Sequence, residues 1–216
     1  MHVAIVLYPR FTALHVVGPY TMLSYAPGCE VTLVAARPGP VLDERGGLSL
    51  TATAAFSEAG RPDVVLVPGG PGIVHTLADD VLIDWIGQTH RHAAWTASVG
   101  TGAFLLGAAG LLTGRRATTH WNHLGRLASL GAKPVEDGVV TDGRIMTASG
   151  AGAAMDMALA LLTSLTSDAT AQAVRIALGY GSRPPYPQDL LDHARGLVTY
   201  GDLDGWPTAD PEVTGG

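Results

Sequence analysis

At 216 residues, 47% hydrophobic and 15% charged, the chain calls for one compact, heavily buried α/β domain rather than a disordered or highly solvated chain. A formal net charge of −6, with 13 scattered Lys and Arg, leaves no basic footprint for nucleic acid. Cys29 is the only cysteine, so an intramolecular disulfide and a Cys-rich metal site are both excluded.

The chain enters a strand at once, without a basic leader or a cleavage site, so no secretory signal is expected. Residues 2–8 (HVAIVLY) form the continuous apolar run of a central parallel strand. After the loop at residues 9–12, Gly18-Pro19 is expected to open a helix that runs to about Tyr25, with Pro19 at its first position. Residues 30–36 (EVTLVAA) read as the second strand, and residues 41–53 as an antiparallel excursion turning at Arg45-Gly46-Gly47. Residues 63–67 (DVVLV) are another buried strand, which runs into Pro68-Gly69-Gly70-Pro71-Gly72. Helical patterns follow at 73–77 and 82–91.

Residues 95–99 then read as a short buried strand with an abrupt turn at Gly100 and an apolar helix from Thr101. The apolar stretch 93–112 is broken by Gly and Thr, which marks it as buried core rather than a membrane span. Residues 116–119 are a short strand, 121–130 an amphipathic helix stopped by Gly131, and 139–146 a hairpin on the favoured turn Asp142-Gly143. A buried helix covers 150–166, and Asp168 caps another that runs to about Leu178. Residues 183–187 are a proline-rich linker to a last helix at about 188–200, and a mobile tail is expected over 201–216. The result is a single doubly wound domain over residues 1–182, a mostly parallel α/β sandwich, soluble and cytoplasmic.

Ligands of such folds sit beyond the carboxyl ends of the strands, so the loops after Val67, Val99 and Thr119 should share one pocket. A strand passing into a helix through one residue is how α/β enzymes present a nucleophile, yet Gly100 has no side chain. Thr101 begins the helix, where its N–H could meet an oxyanion, or it is simply a helix-start residue. Pro68-Gly69-Gly70-Pro71-Gly72 can bring backbone N–H groups to a ligand through Gly70 or Gly72, and a structural turn explains it equally well. His15 and His120 lie on strand-end loops and could serve as acid or base without a cofactor. Trp121 is core or pocket wall. No histidine spacing matches a metal motif, so neither a metal nor a cofactor is expected.

The combination of Leu14-His15-Val16-Val17-Gly18-Pro19, Val67-Pro68-Gly69-Gly70-Pro71-Gly72, Ser98-Val99-Gly100-Thr101-Gly102, residues 105–121 (LLGAAGLLTGRRATTHW) and Met155-Asp156 resembles the ThiJ/PfpI family, and within it the isonitrile hydratase branch. The resemblance spans the chain to about Tyr180. It implies a flavodoxin-like sandwich, usually a homodimer, without an organic cofactor. Members typically carry a nucleophilic Cys at the elbow, an acidic residue from the first loop beside it, backbone oxyanion donors, and in many cases a His twenty residues on. By position, the His matches His120 and the donors match Gly70 to Gly72 and Thr101. The nucleophile position holds Gly100 and the acidic position holds His15.

Thiolate chemistry is therefore closed at the elbow. The expectation is a non-covalent acid–base enzyme of lyase, hydratase, isomerase or cyclase type acting on a small carbonyl-bearing metabolite. His15 would be its base, Thr101 with Gly70 and Gly72 its oxyanion donors, and Gly100 room for substrate. A catalytically silent ligand-binding member is the first alternative. An isonitrile hydratase carrying an elbow mutation is the second, disfavoured because the first loop has changed as well.

Overall fold

The computed structural model describes residues 1–181 and 187–197. Its centre is a seven-stranded sheet in the order β10-β11-β7-β6-β1-β2-β5. These strands are β1 (His2–Val6), β2 (Glu30–Ala35), β5 (Ala54–Ala55), β6 (Val64–Val67), β7 (Trp95–Val99), β10 (Val139–Asp142) and β11 (Ile145–Ala148). Every pairing is parallel except the β10–β11 hairpin, which closes at Asp142↔Ile145 as the Asp-Gly turn demands. Strands β2, β1, β6, β7 and β11 follow the 2-1-3-4-5 order of a flavodoxin-like sheet, whose winding reverses between β1 and β6. Val3, Ala4, Ile5, Val6 and Val64, Val65, Leu66, Val67 have no exposed surface, which explains their unbroken apolar runs.

Helices cover both faces: α1 (Leu14–Ser24), α2 (Ile73–Thr76), α3 (Asp80–His90), α4 (Ala103–Ala108), α5 (Ala151–Leu165) and α6 (Asp168–Ala177). A further helix, α7 (Gln188–Arg195), packs on α6. Helix α1 begins at Leu14, earlier than Gly18-Pro19 suggests, and Pro19 lies inside it. Its buried residues His15, Val16, Pro19, Met22 and Leu23 recur at helical spacing, so burial of that face overrides the start signal. Pro19 has no N–H to offer the His15 carbonyl one turn back.

Two other starts also shift. Asp79 caps α3, its carboxylate accepting the Leu82 N–H at 3.1 Å, and Ser167 rather than Asp168 caps α6, accepting the Thr170 N–H at 3.1 Å. Residues 121–130 form successive 3₁₀ turns instead of an α-helix, with Gly125 weakening the α alternative, and Gly131 at φ 77° stops them. The strand expected over 116–119 shrinks to β8 (Arg116–Ala117), paired with β9 (Lys133–Pro134) outside the main sheet.

The antiparallel excursion is a separate hairpin, β3 (Gly39–Leu42) and β4 (Ser49–Ala52). Its tip is tied to the loop after β1: the Arg10 N–H donates to the Leu42 carbonyl at 2.9 Å and the Glu44 N–H to the Phe11 carbonyl at 2.9 Å. Among the described residues, no helix is long and apolar enough to cross a membrane. Apart from Pro187, the linker lies outside the described residues, as do residues 198–200 of the last helix and the tail.

Candidate active site

Strand β7 ends at Val99, and the chain turns at Gly100 with φ 52° into a 3₁₀ turn (Gly100–Gly102) that leads into α4. This left-handed backbone is the strained elbow of a strand–nucleophile–helix unit. It is clamped from the next loop by the Thr119 hydroxyl, which donates to the Gly100 carbonyl at 2.8 Å. Thr101 stands in the first turn, where its N–H has no intrahelical acceptor.

The loop after β6 lies directly against the elbow. A Cβ on Gly69 would come within 2.7 Å of the Thr101 nitrogen, and one on Gly70 within 2.5 Å of the Arg10 carbonyl oxygen. The glycines therefore serve close backbone approach. The Gly70 N–H donates to the Thr101 hydroxyl at 3.0 Å, and the Gly72 N–H to the Arg10 carbonyl at 3.2 Å. Gly72 is thus no oxyanion donor, because its N–H ties two loops together. The Gly70 N–H is likewise engaged within the protein, which leaves Thr101 as the backbone donor of the pair.

His15, in the first turn of α1, is 8% exposed. Its Nδ1 accepts the Gly69 N–H at 3.2 Å, so the neutral ring carries its proton on Nε2. Nε2 has no partner among the described residues and is not one of the sealed, orphaned polar atoms, so it opens toward the cavity. Burial, helped by the neighbouring His120 and opposed by the negative charge of Glu44, lowers the His15 pKa to about 4. The ring also fills the nucleophile position: its Cε1 lies 2.9 Å from where a Cβ on Gly100 would stand. Gly100 is therefore not room for substrate. The imidazole occupies that room.

A cavity of about 340 Å³ opens here, lined by Thr12, His15, Gly70, Pro71, Ile73, Val74, Thr101, His120 and His123. It sits beyond the carboxyl ends of β1, β6 and β7, at the reversal of winding. His120 is half-buried, its ring centre 5.9 Å from that of His123, and its Nδ1 accepts the Asn122 N–H at 3.4 Å. Trp121 does not line this cavity. It is 75% exposed and borders a neighbouring cleft with Thr118, Thr119 and Glu136, because the 3₁₀ turn swings it outward. A cleft of about 380 Å³ between the ends of β1 and β2 is larger, yet Leu7, Phe56 and Leu82 make it mainly apolar and it holds no imidazole. Cys29 precedes β2 at the amino edge of the sheet, a strand's length of roughly 17–20 Å from the elbow edge.

Among the polar site residues, Thr12, Glu44 and His123 were not evident from the sequence. Thr12 lines the cavity, and its hydroxyl donates to the carboxylate of Glu44 at the tip of the β3–β4 hairpin. The contact joins positions 32 residues apart, which no local pattern signals. Among the described residues, no group of three His, Cys, Asp or Glu is placed to hold a metal ion.

Comparison with known proteins agrees with this fold. The chain is 39% identical over 198 residues to the isonitrile hydratase of Pseudomonas putida, covering 92% of this chain and 86% of that protein. It is 27% identical over 132 residues to the HTH-type transcriptional regulator CdhR of Pseudomonas aeruginosa, covering 60% of this chain and 39% of the regulator. A ThiJ/PfpI family protein from Pseudomonas syringae superposes with a TM-score of 0.81 at 29% identity, over 91% of this chain and 89% of that one. With residues 1–164 matching the family as a whole, the chain belongs to the DJ-1/PfpI family.

Proposed function

We propose that the chain is a cofactor-free enzyme that performs non-covalent acid–base chemistry, of hydratase or lyase type, on a small carbonyl-bearing metabolite. Isomerisation and cyclisation use the same proton transfers and belong to the same reading. The observation that carries it is the neutral His15 ring, standing where a nucleophile would stand with Nε2–H open to the cavity. The similarity to the isonitrile hydratase of Pseudomonas putida supports the hydratase form. The covalent thiolate route is closed, because Gly100 offers no sulfur.

Within this reading the role expected of His15 changes from base to donor. A ring that protonates only near pH 4 is a weak proton acceptor at neutrality, and its lone pair at Nδ1 already accepts from Gly69. A neutral imidazole with a lowered pKa is well suited to polarise a carbonyl by donating from Nε2. The Thr101 N–H supplies a second donor to the same oxygen. His120, half-buried on the cavity wall, is the proton-transfer group: with Nδ1 accepting the long Asn122 N–H bond at 3.4 Å it presents Nε2–H as donor, and it accepts a proton only when that bond is released.

The test is a screen of isonitriles, formamides and small keto compounds against wild type, His15→Ala and His120→Ala. Once a turned-over substrate is found, loss of one such donor or base should lower kcat by about 10²–10³-fold. Unchanged turnover in His15→Ala would remove the donor role. A silent ligand-binding module is the second reading, favoured by the similarity to the regulator from Pseudomonas aeruginosa. The open cavity with three imidazoles on its wall favours the enzyme.

A further inference from the structure

We propose that Thr12, held by Glu44, is the hydrogen-bond acceptor that selects ligands bearing an N–H or O–H beside their carbonyl. The inference rests on the acid–base reading above and narrows its substrate class to secondary amides, formamides and hydroxy- or enol-carbonyl compounds.

Thr12 is fixed at both ends. Its backbone N–H donates to the Gly69 carbonyl at 2.8 Å, and its hydroxyl donates to the Glu44 carboxylate. A hydroxyl has one proton to give, and an ionised carboxylate can only accept. With that proton committed to Glu44, Thr12 Oγ1 can only accept from a ligand, and the adjoining negative charge strengthens it as an acceptor. Glu44 is held in turn by its N–H bond to the Phe11 carbonyl, and the neighbouring Asp43 accepts the Leu48 N–H at 3.1 Å to brace the hairpin tip.

The cavity thus has two chemically opposite walls. His15 Nε2–H and the Thr101 N–H are donors suited to a carbonyl oxygen, whereas Thr12 Oγ1 is an acceptor suited to the group beside it. Pro71, Ile73 and Val74 offer apolar surface to the remaining substituent. Glu44 does not line the cavity, so it is a positioning residue that acts through Thr12.

N-Cyclohexylformamide, the product of adding water to an isonitrile, has both the carbonyl and the N–H. Its N-methyl derivative keeps the carbonyl and loses the N–H. Both are titrated into the full chain by NMR, following the Thr101 amide and the His15 ring. Wild type should bind the secondary formamide at least about tenfold more tightly than the tertiary one, the yield of one charge-assisted hydrogen bond. Thr12→Val should bring the two Kd values within about twofold of each other, and Glu44→Leu, which removes the acceptor of the Thr12 proton, should reduce the wild-type discrimination. Thr12→Ser, which keeps the hydroxyl, should restore the discrimination, an outcome that a merely structural role for Glu44 and Thr12 would not produce. Discrimination that survives in Thr12→Val overturns the acceptor role and leaves the donor reading standing. A tertiary formamide that binds without shifting Thr101 or His15 overturns the donor reading, and failure of both formamides to bind wild type overturns both.

Discussion

Gly100→Cys places at the elbow the side chain that the family resemblance implies there, and the structure gives its consequence. At φ 52° an L-residue is strained by roughly 1–2 kcal/mol. The new Cβ would stand 2.9 Å from His15 Cε1, so the imidazole must move from a packed position, an overpacking cost of about 1–3 kcal/mol. The sum is roughly 2–5 kcal/mol, which in a chain of this size lowers Tm by about 2–4 °C per kcal/mol. Thermal and urea unfolding of wild type, Gly100→Cys, His15→Ala and the double variant complete a cycle. His15→Ala alone should be destabilising, since the buried Gly69 N–H loses its acceptor. In the double variant the thiol enters the space the ring has left, so the combined loss should fall at least about 1 kcal/mol short of the sum of the single losses. Additivity within about 0.5 kcal/mol would refute the claim that His15 and a position-100 side chain compete for one space. Covalent isonitrile hydration should appear in the double variant before it appears in Gly100→Cys.

Two further outcomes follow from the same contacts. The folded-state pKa of His15 lies below its unfolded value, so the unfolded chain takes up the proton first on acidification: the stabilisation is complete above about pH 6.5 and is lost as pH falls toward 4, about 3 kcal/mol in all. Urea titrations between pH 4 and 7 should show this slope in wild type and a shallower one in His15→Gln, and equal slopes would contradict the buried neutral ring. For the homodimer that the family resemblance implies, we propose the exposed Leu14, Val17 and Tyr20 of α1 as the contact surface: Val17→Glu with Tyr20→Glu should shift micromolar protein toward monomer in sedimentation, whereas a wild type that sediments as a monomer would exclude that interface.

The elbow was legible in the sequence because its determinants are local. A buried strand, Gly100 and an apolar helix lie within one continuous stretch, and Pro68-Gly69-Gly70-Pro71-Gly72 follows its strand directly. Placing His15 and His120 at one cavity required only the rule that strand-end loops converge. The state of His15 was not legible, because its tautomer is set by a bond to Gly69, 54 residues away, and its pKa by burial. Gly72 looked like a donor until its N–H was found on the Arg10 carbonyl. Trp121, expected as core or pocket wall on its size, stands exposed at the start of the 3₁₀ turns. Glu44 carried no local signal, since a hairpin tip with charged residues is ordinarily just a solvated turn.

The β3–β4 hairpin stands outside the seven-stranded sheet and touches the site only through its tip. That tip holds the loop after β1, whose Arg10 carbonyl in turn accepts the Gly72 N–H beside the elbow. What the hairpin carries is only the positioning carboxylate: Thr12, the acceptor, stands in the loop that leads into the donor His15, and the hairpin tip holds its hydroxyl proton. A change at position 44 would therefore alter recognition without changing any residue that lines the cavity.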